Sequence, residues 1–224
     1  MTSDARADTP NANPIDFIAR PTPRLRAAVE HQRSAMSAAD FPEVIATIRS
    51  VFDKFTARLQ SAPAGAARGR VLHLLTEQTQ APAAQVKVTC AKGCCSCCHY
   101  EIEVTRDEAA ILADLVRAGF PIDAVRLRVQ AARERKAPEW LQVLMPDNRC
   151  VFLGADGACQ IYEHRPSSCR RHLVTSPAAA CADLGLTVAP VELLMTEILL
   201  SAALSIEGVQ FASMSKMLTA ELGL

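Results

Sequence analysis

The sequence has few aromatic residues and no excess of charge of either sign. Aromatic residues make up 4% of its 224 positions, and 24 Lys and Arg balance 24 Asp and Glu. General nucleic-acid binders carry a basic excess, and single-strand binders stack bases on aromatic rings. The composition therefore predicts no nucleic-acid partner.

Long apolar runs are also missing. The nearest approach to one, Ile198 to Ile206, is bracketed by Glu197 and Glu207 and is too short to cross a bilayer. The first fourteen residues are polar and lack the basic and apolar regions of a secretory signal. We therefore expect a cytoplasmic protein with no membrane partner.

Cysteine, by contrast, is abundant and clustered. All nine cysteines lie between positions 90 and 181, and five of them fall within nine consecutive positions. In a protein that is not secreted, such a cluster favours metal binding or redox chemistry over a disulfide framework. The nine are Cys90, Cys94, Cys95, Cys97, Cys98, Cys150, Cys159, Cys169 and Cys181.

The first cysteine run reads Cys90-x3-Cys94-x2-Cys97-Cys98, with Cys95 as an additional thiol. If the segment winds as one or two helical turns, its thiols surround one small volume. A metal or an iron–sulfur core would protect thiols at this density from oxidation. Neighbouring cysteines such as Cys97 and Cys98 can pair with each other only under strain.

The second cysteine region contains a hairpin signal around residues 154–157, which include two glycines and an aspartate. With Leu153 facing Ala158, Cys150 and Cys159 lie diagonally on one side, roughly 7–8 Å apart. That separation is too long for an unstrained disulfide and suits two thiolates that bind a metal or a cluster.

Eight cysteines remain when Cys95 is set aside. They suffice for two four-thiolate sites, or for one cluster with further thiols beside it. Coordination by four sulfurs is typical of both zinc and iron–sulfur centres, and the residues do not distinguish the two. A structural disulfide set and a thiol–disulfide exchange enzyme are the other interpretations considered.

Helical periodicity dominates on either side of the cysteines, for example over Phe41 to Leu59 and from Pro190 onward. Thr105 and Glu108 show the capping-box pattern before another apolar helix. The predicted fold is mainly α, a helical shell around a cysteine-rich metal centre with one short β-hairpin. The predicted segments are a flexible tail (1–14), an N-terminal helical segment (15–82), a cysteine-cluster metal-binding domain (83–185), and C-terminal helices packing on it (186–224).

Two motifs resemble those of the YkgJ-like cysteine-cluster family, to which zinc or iron chelation is ascribed. Residues 90–98 resemble its C-x-x-C-x-x-C-C run with one extra residue in the first spacer, and residues 157–170 match its G-x-C-x-I-Y-x-x-R-P-x-x-C-R run. The resemblance covers roughly residues 88 to 182. It implies metal binding by Cys90, Cys94, Cys97, Cys98, Cys150, Cys159, Cys169 and Cys181.

The first run is also similar to the motif of flagellin lysine N-methylases, a class associated with an iron–sulfur cluster. This chain lacks the length of those enzymes, and a cysteine motif alone does not transfer an activity. We expect an iron–sulfur cluster or zinc as the cofactor, with the iron–sulfur cluster favoured.

Arginines flank the second run and are candidate cofactor-binding residues. A four-thiolate site is net negative, and Arg165 and Arg170 would offset that charge and hydrogen-bond to sulfur. The alternative for Arg165 is that it ties the turn at Pro166. Because mixed cysteine–histidine sites are common, some histidines are also candidate ligands. These are His99, His164 and His172.

The predicted function is metal binding by an intracellular protein. One alternative is an iron–sulfur-dependent enzyme that modifies a protein side chain. The other is a zinc-stabilised interaction module whose helical arms, residues 15–80 and 190–224, bind a protein partner. The G-x-S-x-G, P-loop and G-x-G-x-x-G motifs are absent, so no catalytic residue is assigned.

Overall fold

The fold is mainly α, as the sequence predicts. A computed structural model describes residues 13–91, 93–134, 145–182 and 187–224, so the predicted tail lies almost wholly outside the described residues. The described helices are α1 (Pro23–Ala35), α2 (Phe41–Gln60), α3 (Ala66–Gln80), α4 (Arg106–Arg117), α5 (Ala124–Ala132), α6 (Ser167–Arg170), α7 (Leu194–Ser205) and α8 (Met214–Leu222). The described strands are β1 (Glu103–Thr105) and β2 (Phe211–Ser213).

Short 3-10 turns, rather than longer helices, carry much of the cysteine-rich region. Each holds three to five residues, too few for a stable helix without tertiary support. They are Ala81–Gln85, Ser96–His99, Met145–Asn148, Tyr162–His164 and Ala178–Cys181.

A first hydrophobic core joins the N-terminal helices to α7. Helix α7 is apolar on nearly every face, which is the pattern of a buried helix, and it packs against α1, α2 and α3. Leu199 in α7 and Leu25 in α1 have no exposed surface. Among the described residues, no helix is both long and apolar enough to cross a membrane.

The second hydrophobic core belongs to α4, α5 and α8. Helix α8 packs against both α4 and α5, and Leu112, Leu127 and Leu218 are fully buried between them. Phe152, from the second cysteine region, also belongs to this core. The thiols of that region are therefore held beside an apolar support.

The two cores meet where α3 packs against α4. A Cβ on Gly69 of α3 would lie 2.5 Å from the carbonyl oxygen of Asp107 in α4, so only glycine permits this approach. The Asp107 carboxylate also accepts hydrogen bonds from the Gly65 amide (2.6 Å) and from Arg68 Nε (2.6 Å). The amino-terminal turns of the two helices are thus joined by a charge-assisted network.

The sheet is built from segments distant in sequence. Strands β1 and β2 are antiparallel, and Val104 pairs with Ala212. Thr105 ends β1 and caps α4 in the predicted capping box with Glu108. Because Phe211–Ser213 forms β2, the expectation that the chain is helical from Pro190 onward is wrong at these residues.

The predicted hairpin forms a single bridge with a different register. Leu153 pairs with Cys159 and not with Ala158. The Asp156 carboxylate accepts a hydrogen bond from the Ala158 amide (3.0 Å), and Gly157 has a left-handed φ of 74°. Because these interactions place Ala158 in the turn, the turn is one residue longer than expected.

Candidate metal centre

The first cysteine run is a chain of tight turns. The amide of Cys94 donates to the carbonyl of Ala91 (3.0 Å), and the amide of Cys98 donates to the carbonyl of Cys95 (2.9 Å). Gly93, within the first of these turns, has a φ of 87°, a conformation that favours glycine. Since one residue is left-handed, the run cannot be the continuous helical turn that the spacing allows.

Backbone and tyrosine hydrogen bonds bring the distant cysteines to this run. The amide of Cys150 donates to the carbonyl of Cys98 (2.9 Å). The Tyr100 hydroxyl donates to the carbonyl of Cys181 (2.8 Å), and the Cys90 thiol lies 3.9 Å from the carbonyl oxygen of His172. These contacts place Cys150 and Cys181 beside the first run, and the bridge between Leu153 and Cys159 keeps Cys159 close to Cys150.

The charges that act on the thiols divide them into two groups, and Cys97 acts on members of both. Burial and the charges of Cys150, Cys97 and Cys159 raise the pKa of Cys169 well above its usual range. Burial and the charges of Cys94, Cys90 and Cys97 raise the pKa of Cys181. We name the Cys150 group (Cys98, Cys150, Cys159 and Cys169) and the Cys181 group (Cys90, Cys94 and Cys181).

Cys97 is prepared to ionise near neutral pH. A hydrogen bond from the Cys98 thiol and the Arg165 charge together lower the pKa of Cys97 to about 7, against the effect of burial. The same hydrogen bond and burial raise the pKa of Cys98. At neutral pH Cys97 is therefore partly ionised, and Cys98 is the thiol that donates to it.

Unlike Cys97, the buried thiols of the Cys150 group remain protonated at neutral pH. Burial raises the pKa of Cys150 to about 11. Because a metal binds the thiolate, a metal ion must displace protons from these sulfurs.

Cys95 and the candidate histidines have other contacts, although the charge of Cys95, like those of Cys97 and Cys90, adds to the effect of burial in raising the pKa of Cys94. A Cβ on Gly157 would lie 3.7 Å from the Cys95 sulfur, so Cys95 faces the turn of the second region. The His99 ring nitrogen Nδ1 lies 3.1 Å from the Cys95 carbonyl oxygen, and His164 is exposed. Burial and two nearby arginines lower the pKa of His172. None of this assigns a ligand role to these residues.

The two candidate arginines occupy different environments. The Arg165 guanidinium lies 3.7 Å from the Tyr162 ring centroid. Its charge helps to lower the pKa of Cys97 and offsets part of the effect of burial, which raises the pKa of Cys159. Arg170 is buried, donates to the Arg165 carbonyl (2.8 Å) and pairs with Glu77 (2.6 Å). Arg165 therefore offsets thiolate charge, whereas these contacts of Arg170 stabilise the local turn.

A buried polar network beside Cys169 is not apparent from the sequence. One carboxylate oxygen of Glu108 accepts from the Ser167 amide (2.7 Å) and lies 3.3 Å from His73 Nε2. Burial would raise the pKa of Glu108, but the His73 ring and the amides of Ser167 and Thr105 lower it overall. The capping-box pattern in the sequence identifies Glu108 and the contacts of one carboxylate oxygen with Thr105. Only the fold shows that the other oxygen contacts Ser167 and His73.

The donor set fits a thiophilic metal by its chemistry. All nine cysteines are free of disulfides. In the part of the chain that the structure describes, no three Cys, His, Asp or Glu side chains already stand in metal-ligand geometry. Converging thiols, one with a pKa near 7 and a cationic neighbour, nevertheless match the ligand preferences of zinc and iron.

A family comparison agrees with this chemistry. Residues 89–184 match the model of the CxxCxxCC family, described as "Putative zinc- or iron-chelating domain". This segment is similar to the CxxCxxCC domain. The match confirms the predicted cysteine-cluster family and supports metal chelation. It covers less than half of the chain, and α1, α2, α3, α7 and α8 lie outside it. No curated protein and no solved structure matches the chain.

Proposed function

We propose that this protein binds iron, as an iron–sulfur cluster, or zinc through the thiolates of Cys97, the Cys150 group and the Cys181 group. The observation that carries the proposal is the convergence of free thiols from four separate parts of the sequence around Cys97. Metal binding is the simplest chemical explanation for such a concentration of thiols in a segment that resembles the CxxCxxCC domain.

Between the two metals, we favour iron–sulfur. The charge of Cys97 acts on thiols of both groups, which supports a multinuclear centre or two neighbouring sites. Arg165 supplies a positive charge on the side of Cys97 and Cys159, where a thiolate-bound centre is negative.

The chain's own residues have distinct roles in this proposal. Cys97 offers a thiolate at neutral pH, whereas Cys98, Cys150 and Cys169 lose protons as they ligate. Arg165 offsets the accumulated negative charge. When bound, an iron–sulfur cluster would supply electron transfer or Lewis acidity, and zinc would supply a rigid crosslink.

The test is metal and sulfide analysis, with a visible spectrum, of anaerobically purified protein. We expect stoichiometric iron and acid-labile sulfide with a broad visible band. Stoichiometric zinc in a colourless protein would support zinc binding and favour the interaction-module alternative. Protein that is folded, reduced and free of both metals would overturn the proposal.

A pair of serine variants locates the ligands. Cys150→Ser removes a thiol from the centre of the Cys150 group, and we expect it to lose most of the bound metal. Cys95→Ser changes the thiol that is additional to the eight predicted ligands and serves as the matched control. If the two variants lose metal equally, the assignment of Cys95 outside the ligand set is wrong.

A further inference from the structure

The short helix that carries Cys169 is held by helices outside the CxxCxxCC domain. We propose that Thr76 and Glu77 of α3 and Glu197 of α7, here called the Cys169 clamp, position the Cys169 thiolate in the metal centre. The inference rests on the proposed metal-binding function. It makes α3 and α7 part of the site and not an appendage to it.

The α3 side of the clamp contacts both ends of α6. The hydroxyl oxygens of Thr76 and Ser167 lie 3.0 Å apart, and both residues are fully buried. The next residue of α3, Glu77, lies 2.6 Å from a guanidinium nitrogen of Arg170 at the other end of α6. Because Cys169 lies between Ser167 and Arg170, these contacts fix the helix on both sides of the thiol.

The α7 side of the clamp is a buried carboxylate. Glu197 is 2% exposed, and its Oε2 lies 2.7 Å from a guanidinium nitrogen of Arg171. The same oxygen accepts a hydrogen bond from Thr22, the residue that caps α1 (2.7 Å). The residue that follows α6 is thereby connected to the first hydrophobic core.

Contacts within the domain complete the arrangement. The Ser167 amide donates to Glu108 (2.7 Å), and the Ser168 hydroxyl donates to the carbonyl of Glu103 in β1 (2.6 Å). Each residue from 167 to 171 except Cys169 therefore has a side-chain or amide partner on another element.

Helix α6 depends on such external contacts because of its length. It has four residues, and a single turn does not hold its own conformation in water. The direction of the Cys169 side chain is therefore set by what α6 packs against. Three of those partners, Thr76, Glu77 and Glu197, lie outside residues 89–184.

The experiment compares the reactivity of individual cysteines in the full-length chain. Metal-free, reduced protein is treated briefly with N-ethylmaleimide, and mass spectrometry gives the alkylation rate of Cys169 relative to Cys90 in the same molecule. A variant that merely destabilises the fold would raise both rates together. A variant that releases α6 should raise the Cys169 rate selectively.

The variants are Thr76→Val, which keeps the side-chain volume, Glu77→Gln, which changes an exposed carboxylate, and Glu197→Gln. The matched controls are Thr47→Val and Glu43→Gln in α2. Thr47 makes the same hydroxyl bond to a carbonyl four residues earlier as Thr76 does. Glu43, like Glu77, is exposed.

We expect Thr76→Val and Glu197→Gln to raise the Cys169-to-Cys90 ratio about five- to tenfold, since each removes a buried or charged hydrogen bond. Glu77→Gln should raise the ratio by a smaller factor, and the controls should leave it unchanged. Transfer of bound metal to a chelator should accelerate in the same order. An unchanged ratio in all three variants, with their melting as in the parent, would overturn the clamp.

The alkylation ratio is measured without metal, so it separates two kinds of failure. If the parent protein binds no metal but the ratio changes as expected, the metal-binding proposal fails while α3 and α7 still position Cys169. If metal is bound and the ratio is unchanged, the clamp alone is wrong.

Discussion

The helical part of the molecule, α1 to α3 with α7, and the cysteine part, residues 93–99 and 150–182, are stabilised in different ways. The helical part has helices of 12 to 20 residues packed around fully buried leucines. The cysteine part has turns of three or four residues, and all its thiols but that of Cys181 are partly exposed. The first can hold its shape by apolar burial, whereas the proposed metal centre makes the second dependent on ligation and on contacts from outside.

Metal removal should produce the largest difference between these two parts. Structural zinc sites in small peptides contribute about 10–16 kcal/mol of binding free energy at neutral pH. Adding a strong chelator to reduced, metal-loaded protein should therefore lower amide protection in the cysteine part, although contacts of α6 and of Cys150 with other elements still hold those segments in the metal-free protein. Helices α2 and α7 should keep theirs, as measured by hydrogen exchange with mass spectrometry. Equal loss of protection in both parts would show that the helical part is not self-sufficient.

A cavity in the first core should destabilise the helical part, which metal removal is expected to leave intact. Leu199 is fully buried in α7, so Leu199→Ala should lower the free energy of unfolding by about 2–5 kcal/mol in urea denaturation. Leu194→Ala, at a position that is 36% exposed, is the control and should cost much less. An equal cost for the two variants would contradict the assignment of α7 to the core.

Alkaline pH should weaken the cysteine part of the metal-free protein. The pKa of Cys150 is about 11 in the folded chain against an ordinary value of 9.0. A raised pKa means that the folded state favours the protonated thiol, so this stabilisation is complete below pH 9 and is lost as the pH rises to 11. The loss is at most about 2–3 kcal/mol.

Urea titrations of the reduced, metal-free protein at several pH values measure this loss. Cys150→Ala should show a shallower decline than the parent over the same interval. If the free energy of unfolding of the parent rises between pH 9 and 11, the burial of Cys150 has been misjudged.

The smallest effect is expected at the surface between α4 and α8. Arg106 pairs with Glu221 at 2.5 Å, but its side chain is 59% exposed. Arg106→Ala should therefore lower the free energy of unfolding by only about 0.2–1 kcal/mol, and less in high salt. Thermal denaturation at two salt concentrations is the check. A salt-independent loss as large as that for Leu199→Ala would mean that this pair supports the second core.

Local patterns in the sequence predict the helices well. The apolar stripe that begins at Phe41 corresponds to α2, which starts at that residue, and the Thr105–Glu108 pattern forms a complete capping box. Both features depend on residues three or four positions apart. The cysteine motifs likewise predict the family because their spacing is contained in the sequence.

Features that depend on distant partners could not be predicted in this way. Strand β2 has three residues and is defined by β1, which precedes it by more than a hundred positions. The hairpin register depends on where the Asp156 carboxylate finds a donor. The partners of Arg170, on α3 and on the turn before α6, exist only in the folded chain.

The pairing of β1 with β2 has a consequence during synthesis on the ribosome. Glu103 pairs with Ser213, so β1 emerges 110 residues before its partner. At about 5–20 residues per second, that gap lasts roughly 5–20 seconds. Throughout this interval the first cysteine run is outside the ribosome while β2 and α8 are still incomplete. A nascent chain therefore presents its thiols to the cellular metal pool before the second core can close around them.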